Sequence, residues 1–340
     1  MWKKVLLCAV AVYVLAAAGW VVSAGVVRSR AEVELLNAAC DPTRELWRDL
    51  NARFITRYEQ ERGAKVVIRQ SHGGSGSQAR AVIDGLGADV ATLALFSDTD
   101  AIRKAGLIDE GWESRLPNRS LPFVSTIVFV VRKGNPKNVH DWPDLVRPGV
   151  EVITPNPKTS GNGKWSFLAA WGAIRHKGGS EDEARDYVTQ LYRQVPILDA
   201  AARGATMTFA TKRQGDVHLT WENEAFLEVQ EAAGELEIVY PPASVLAEPH
   251  VAVVSANVRR KGTKVVAEAY MNFLYTEEAQ EIMAHHYYRP TDPAVWKKVE
   301  SQFPKIDLFP FATVGPTWDV IQKRFFAEGG VFDQIYARKP

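Results

Sequence analysis

Cysteine is almost missing from this chain of 340 residues, which holds only Cys8 and Cys40. Two thiols build neither a disulfide framework nor a cysteine-based zinc site, so the core must hold by burial, for which a chain of this length is long enough. Histidine does not fill the gap. His72, His140, His176, His218, His250, His285 and His286 include no pair at the i, i+4 spacing that sets two imidazoles on one helix face, and no metal is expected. Charge of one sign is missing too: 41 Lys and Arg stand against 40 Asp and Glu, which leaves no overall field to hold nucleic acid by counterion release. Neither of the first two glycine-rich turns fits the phosphate loop G-x-x-x-x-G-K-[ST], and no G-x-S-x-G elbow surrounds Ser75, so nucleotide binding and hydrolase chemistry find little support. Internal repeats and long linkers are also lacking. With 46% hydrophobic and 24% charged residues the composition is that of a globular protein, as one large domain or two lobes.

One long uncharged run is present. Lys3 and Lys4 precede an apolar stretch over residues 5–27, closed by Arg28 and Arg30, which reads as an export signal. It is longer than the usual core of a cleavable signal peptide and reaches the ~20 residues of a membrane-spanning helix, and cleavage and a retained anchor both stay open. Val22-Ser23-Ala24 and Ser29-Arg30-Ala31 are the cleavage candidates. Cys8 comes too early for a lipoprotein cysteine, and Cys40 reads as a small buried hydrophobe.

Beyond residue 31, short β-branched runs alternate with stretches of helical period, which argues for an α/β fold. Strands are expected at 33–36, 66–68, 90–95, 126–131, 150–154, 217–219, 236–239 and 251–254. Helices are expected at 164–176, 180–192 and 265–285, the second opened by the capping box Ser180 and Glu183. Asp41 with Pro42 reads as the cap of a further helix that carries Leu46, Leu50 and Phe54. Two irregular connections, 115–122 and 241–249, look like paired crossings between two lobes, and 303–340 is too aromatic for a disordered tail.

Three segments share one layout, a strand running into small residues and then a helix. They are 66–77 with Gly73-Gly74-Ser75-Gly76-Ser77 and a helix from near Gln78, 150–165 with Thr159-Ser160-Gly161-Asn162-Gly163, and 198–208 with Ala200-Ala201-Ala202-Arg203-Gly204. A helix start leaves about four N–H donors without intrahelical partners and carries roughly half a positive charge, so converging starts suit a small anion. Each turn alone reverses the chain in any α/β protein and says little about a ligand.

Asp41-Pro42-Thr43-Arg44-Glu45-Leu46, Gln70-Ser71-His72-Gly73-Gly74-Ser75-Gly76, Thr154-Pro155-Asn156-Pro157-Lys158 with Ser160-Gly161, Ala202-Arg203-Gly204, Trp221-Glu222-Asn223-Glu224-Ala225 and Tyr288-Arg289-Pro290 together resemble the motif set of bacterial sulfate and thiosulfate binding proteins. The resemblance runs in order from about residue 33 to 335. It implies a two-lobed periplasmic binding protein fold of type II with the ligand in the cleft, and a non-enzymatic receptor that hands sulfate or thiosulfate to the permease subunits of an ABC importer. A periplasmic monomer without cofactor is then expected. The family pattern places the anion against the main-chain N–H groups of Ser75, Ser160, Gly161, Asn162 and Ala202, with the Ser160 hydroxyl and the Trp221 indole as side-chain donors. Asn162 departs from a family form with glycine at that position, and the main-chain donor survives the change. Asp41, Arg44, Asp98 and Arg203 are expected to orient peptide units rather than touch the ligand. For Asp41 the plain helix cap stands as the first reading.

The chemistry of such a site is self-consistent. Sulfate at neutral pH is an acceptor only, so a pocket of N–H and O–H donors can satisfy all its lone pairs. Phosphate retains a proton that would face other donors unpaired, at a cost of ~1–3 kcal/mol when buried. Trp47, Trp112, Trp142, Trp165, Trp171, Trp296 and Trp318 are read as packing. The expected organisation is a signal or anchor at 1–31, one lobe from 32–120 plus 246–300, a second from 121–245, and a tail at 301–340 packed on the lobes. A membrane-anchored oxyanion sensor and a hydrolytic enzyme on the same fold are the rival readings. A retained N-terminus would favour the first, and turnover of sulfate esters the second.

Overall fold

The structure, a computed structural model, describes residues 32–337; the export segment read at residues 1–31 lies outside them. In chain order the strands are β1 (Val33–Cys40), β2 (Val66–Gly73), β3 (Val90–Leu93), β4 (Phe123–Val124), β5 (Ile127–Arg132), β6 (Val152–Ile153), β7 (Val217–Trp221), β8 (Leu236–Val239), β9 (Ala243–Val245), β10 (His250–Val253), β11 (Arg289–Pro290) and β12 (Asp307–Phe309).

Two four-stranded sheets carry the two lobes. The first has the order β10-β3-β1-β2, with β1 parallel to β2 and β3 and with β10 antiparallel to β3. The second has the order β6-β7-β5-β8, with β5 antiparallel to β7 and β8 and with β6 parallel to β7. Every residue of β3 and of β7 is buried, as expected where helices cover both faces of a sheet. All eight strands read from the sequence fall in these sheets. The four it missed are two or three residues long, too short to show a period, and they pair only with one another.

The chain leaves the first sheet and returns to it through segments that touch. Ser125 and Ala247 exchange two main-chain hydrogen bonds of 3.0 and 2.9 Å, and the Thr126 hydroxyl donates to Val245 O at 2.8 Å. Residues 303–337 are folded against the Gly161–His176 helix: the Phe325 ring meets Trp171 edge-on at 4.8 Å and Trp318 meets Trp165 at 5.3 Å. The same tail reaches the first lobe through an ion pair between Asp319 and Lys104.

Three helix expectations need correction. The single helix expected over 265–285 is two, Lys264–Phe273 and Glu277–His285. Thr276 divides them: its hydroxyl donates to Phe273 O at 2.8 Å and accepts from Ala279 N at 3.3 Å, a local bond that competes with helix continuation. The helix expected from near Gln78 begins at Ser75, so the glycine-rich turn is itself the first helical turn. Asp41 is no cap. It opens a short 3-10 turn, Asp41–Thr43, that runs into the Arg44–Arg62 helix, and neither start has a side-chain cap bond. The capping box at Ser180 and Glu183 is formed.

Candidate functional site

The residues singled out in sequence follow the C-terminal ends of strands in both sheets, the end at which open α/β sheets gather ligands. β2 runs into the Ser75–Ile83 helix, β6 leads through residues 154–160 into the Gly161–His176 helix, and Trp221 ends β7 as the N-cap residue of the Glu222–Glu231 helix. The Ala202–Thr206 helix supplies a further start. Ser75, Ser160, Asn162, Ala202 and Trp221 are each at most 2% exposed, and Gly161 is buried as well.

Glycine makes this convergence sterically feasible. A Cβ on Gly74 would lie 2.3 Å from Thr159 O and 3.3 Å from Ala200 O, and one on Gly161 would lie 2.3 Å from the Ala94 Cβ and 2.9 Å from the Ser75 Cβ. The turns therefore touch across the cleft, Gly74 on main chain and Gly161 on the Cβ atoms of Ala94 and Ser75, and a side chain at either position would separate them. Within the second lobe the Thr159 hydroxyl donates to Ala200 O at 2.6 Å, and Asn156 N donates to Asp199 O at 2.8 Å.

Hydrogen bonding decides which donors stay free. Ser75 has a spent hydroxyl, which donates to Asp98 Oδ2 at 2.7 Å and accepts from Ala94 N at 3.0 Å. The Ser160 oxygen accepts from Gly163 N at 3.3 Å, which leaves its hydroxyl proton to give. Asn162 sends its side-chain amide away, to Leu219 O at 3.4 Å. Asp41 takes the main-chain N–H of Arg203 at 3.0 Å on one oxygen and the Arg44 guanidinium at 2.6 and 2.9 Å on the other. Both oxygens are thereby engaged away from the start of its own helix, and the carboxylate instead holds the Arg203 N–H in the first turn of the Ala202–Thr206 helix. The Trp221 indole N–H is buried without an acceptor. Trp47, Trp112 and Trp171 share that condition, so the orphaned N–H alone does not single out Trp221, which differs from them in ending β7 at the start of a helix.

Three cations around the site are matched by acids. Arg44 is held by Asp41, Lys164 pairs with Asp98, and Arg203 bridges Glu45 at 2.9 Å and Glu224 at 3.4 Å. Burial pushes the Glu224 carboxyl up to about 8, outweighing the opposing pull of Arg203. Burial also pushes the Cys40 thiol up to about 12, which keeps it protonated and inert. Among the described residues no group of three or more His, Cys, Asp and Glu could hold a metal ion.

Lys164 and Trp165 escaped the sequence reading as partners across the cleft, whereas Asp98 stands in it as a support. Lys164 and Asp98 form an ion pair across the cleft with side chains 4% and 5% exposed. Trp165, assigned to packing, sends its indole N–H across the same cleft to Ala94 O at 2.8 Å. The available signal was Lys164 itself, a lone charge in the first turns of a helix otherwise uncharged for three turns.

The bacterial extracellular solute-binding protein family matches residues 37–289. A sulfate-binding protein of Escherichia coli is 53% identical over 309 residues, covering 90% of this chain and 94% of its own. A thiosulfate-binding protein of Pseudomonas aeruginosa is 47% identical, covering 89% and 92%. The solved structure of the sulfate-binding protein SubI from Mycobacterium tuberculosis superposes with a TM-score of 0.77 at 34% identity, over 87% of this chain and 99% of that one. By motif order, two-lobed architecture and these relationships, the chain belongs to the family of bacterial extracellular solute-binding proteins.

Proposed function

We propose that the protein is the extracytoplasmic receptor of an ABC importer and binds sulfate or thiosulfate. The observation that carries this reading is the set of buried, neutral donors at converging helix starts, around which Arg44, Lys164 and Arg203 are each already paired with an acid. Such a site compensates a dianion with dipoles and N–H groups instead of a counter-ion, and it offers no acceptor to a protonated oxyanion. The main-chain N–H groups of Ser75, Ser160, Gly161, Asn162 and Ala202, the Ser160 hydroxyl and the Trp221 indole are the proposed contacts. Asp41, Arg44, Asp98 and Arg203 hold the peptides that donate.

The lobes of this reading are 32–120 with 246–300, and 121–245, with 301–340 as a tail that spans them and the touching segments at Ser125 and Ala247 as the hinge. The monomeric receptor delivers its anion to the permease subunits. Names of relatives as binding proteins favour a receptor over an enzyme. Calorimetry with sulfate, thiosulfate, phosphate and molybdate on one preparation tests the proposal. Sulfate or thiosulfate should bind with little change between pH 6 and pH 8; equal competition by phosphate over that range defeats the donor-only site.

A further inference from the structure

The Glu277–His285 helix ends in a Schellman motif: Tyr288 N donates to Met283 O and Tyr287 N to Ala284 O, both at 3.0 Å. Such an ending requires a residue in the left-handed region just past the cap, and glycine is the residue that enters it without steric cost. The chain follows that rule elsewhere, with Gly63 at φ 65° after Arg62 and Gly262 at φ 72° after Lys261. Here the position holds Tyr287, at φ 59°, a conformation that bulky L residues rarely adopt.

The strain has a matching contact. The Tyr287 ring lies flat on Phe226, with centroids 3.9 Å apart and planes within 9°. Phe226 belongs to the Glu222–Glu231 helix, which starts at Trp221 and packs on β5 and β8 of the second sheet. Tyr287 follows a helix that packs on the Arg44–Arg62 helix of the first lobe. Open grooves flank the ring pair, about 200 Å³ on the side of Glu45 and Arg48 and about 450 Å³ on the side of Glu281 and Lys298. Further in, the same two segments are joined by the Asn223 amide donating to the Tyr288 hydroxyl at 2.8 Å and by the buried Arg289–Glu222 ion pair at 2.7 Å, and the ring pair lies at the outer rim of that contact.

We propose that Tyr287 is a positioning residue for lobe closure: its left-handed backbone aims the ring at Phe226, and the stack forms when the lobes close on the anion. The inference rests on the receptor reading above. It predicts a separation of affinity from stability. Tyr287→Gly relieves the backbone and should leave the melting temperature of the anion-free protein unchanged or raised, while sulfate affinity falls about 2-fold to 12-fold, the loss of one aromatic pair. Phe226→Leu should cost the same affinity, the double variant no more than either single one, and Tyr287→Phe should bind like the parent. Calorimetry and thermal melts of the five proteins read these outcomes. Parent-like affinity in Tyr287→Gly and Phe226→Leu, losses that add in the double variant, or a melting temperature that falls with affinity in Tyr287→Gly overturns the inference alone. A parent that binds neither sulfate nor thiosulfate overturns the receptor reading and the inference together.

Discussion

The indole N–H of Trp165 donates to the main-chain carbonyl of Ala94 at 2.8 Å, from one lobe to the other. Trp165 stands on the helix that begins at Gly161, and Ala94 gives its own N–H to the Ser75 hydroxyl. A single bond therefore ties two of the donor-bearing turns together. Trp165→Phe keeps the ring against Trp318 and removes only this bond. A neutral hydrogen bond is worth ~0.5–1.5 kcal/mol net, so sulfate affinity by calorimetry should fall about 2-fold to 12-fold.

Trp221→Phe removes a donor from the anion itself. Hydrogen bonds to charged groups are worth ~1.5–3 kcal/mol, so affinity should fall roughly 10-fold to 150-fold with the fold retained. Trp47→Phe is the control, because its indole is equally buried and unpartnered but packs on Tyr270 in the first lobe. If Trp47→Phe lowers affinity as much as Trp221→Phe does, the donor is wrongly assigned.

Lys164→Met leaves the Asp98 carboxylate buried and unpaired whenever the cleft is shut. Breaking a buried pair from one side costs ~3–5 kcal/mol. In an open cleft water reaches Asp98, so the cost falls on closure. Sulfate affinity should drop by at least about 100-fold with little change in the anion-free melting temperature, and Lys164→Met combined with Asp98→Asn should recover part of the loss. An equal drop in melting temperature and no recovery would place the pair in the fold rather than in closure.

Glu224 sets a pH dependence of stability. Its carboxyl is raised to about 8 in the folded protein, first by burial, against an unfolded value near ~4.3. The folded state thus holds a proton the unfolded state has lost, and this contribution is complete below the unfolded value and disappears as pH rises through about 8. Urea midpoints measured without anion should decline from pH 6 to pH 9, and Glu224→Gln should flatten the decline. A midpoint that rises over that window has the wrong sign for this carboxyl.

How far the sequence could be read follows the range of each signal. The β-branched runs of β1, β3, β5 and β7 are largely buried and therefore apolar along much of their length, so period and composition exposed them. The donor turns were legible because each is local: small residues ahead of a helix start stand within a dozen residues, although the third, before the Ala202–Thr206 helix, follows no strand, contrary to its expected layout. The contacts across the cleft were not legible. Lys164 and Asp98 lie 66 residues apart, and nothing local to either residue names the other. Asp41 was misread for the same reason, since its pattern is that of a cap and its partner, the N–H of Arg203, is 162 residues away. Thr276 shows the opposite failure: an apolar period continuous across 265–285 hid a hydroxyl that ends one helix and caps the next.

In the receptor reading, the close approach of Gly74 to the Thr159 carbonyl makes main chain a stop against which the lobes would come to rest. Side chains can adopt another rotamer under load, whereas two peptide units in contact cannot. The smallest enclosure the protein can form is thus set by covalent geometry. In the receptor reading, an oxyanion larger than that enclosure would have to prop the two turns apart, and the excess in its bond lengths would appear as an angle between the lobes. A transporter that senses this angle would be measuring the radius of the anion without touching it.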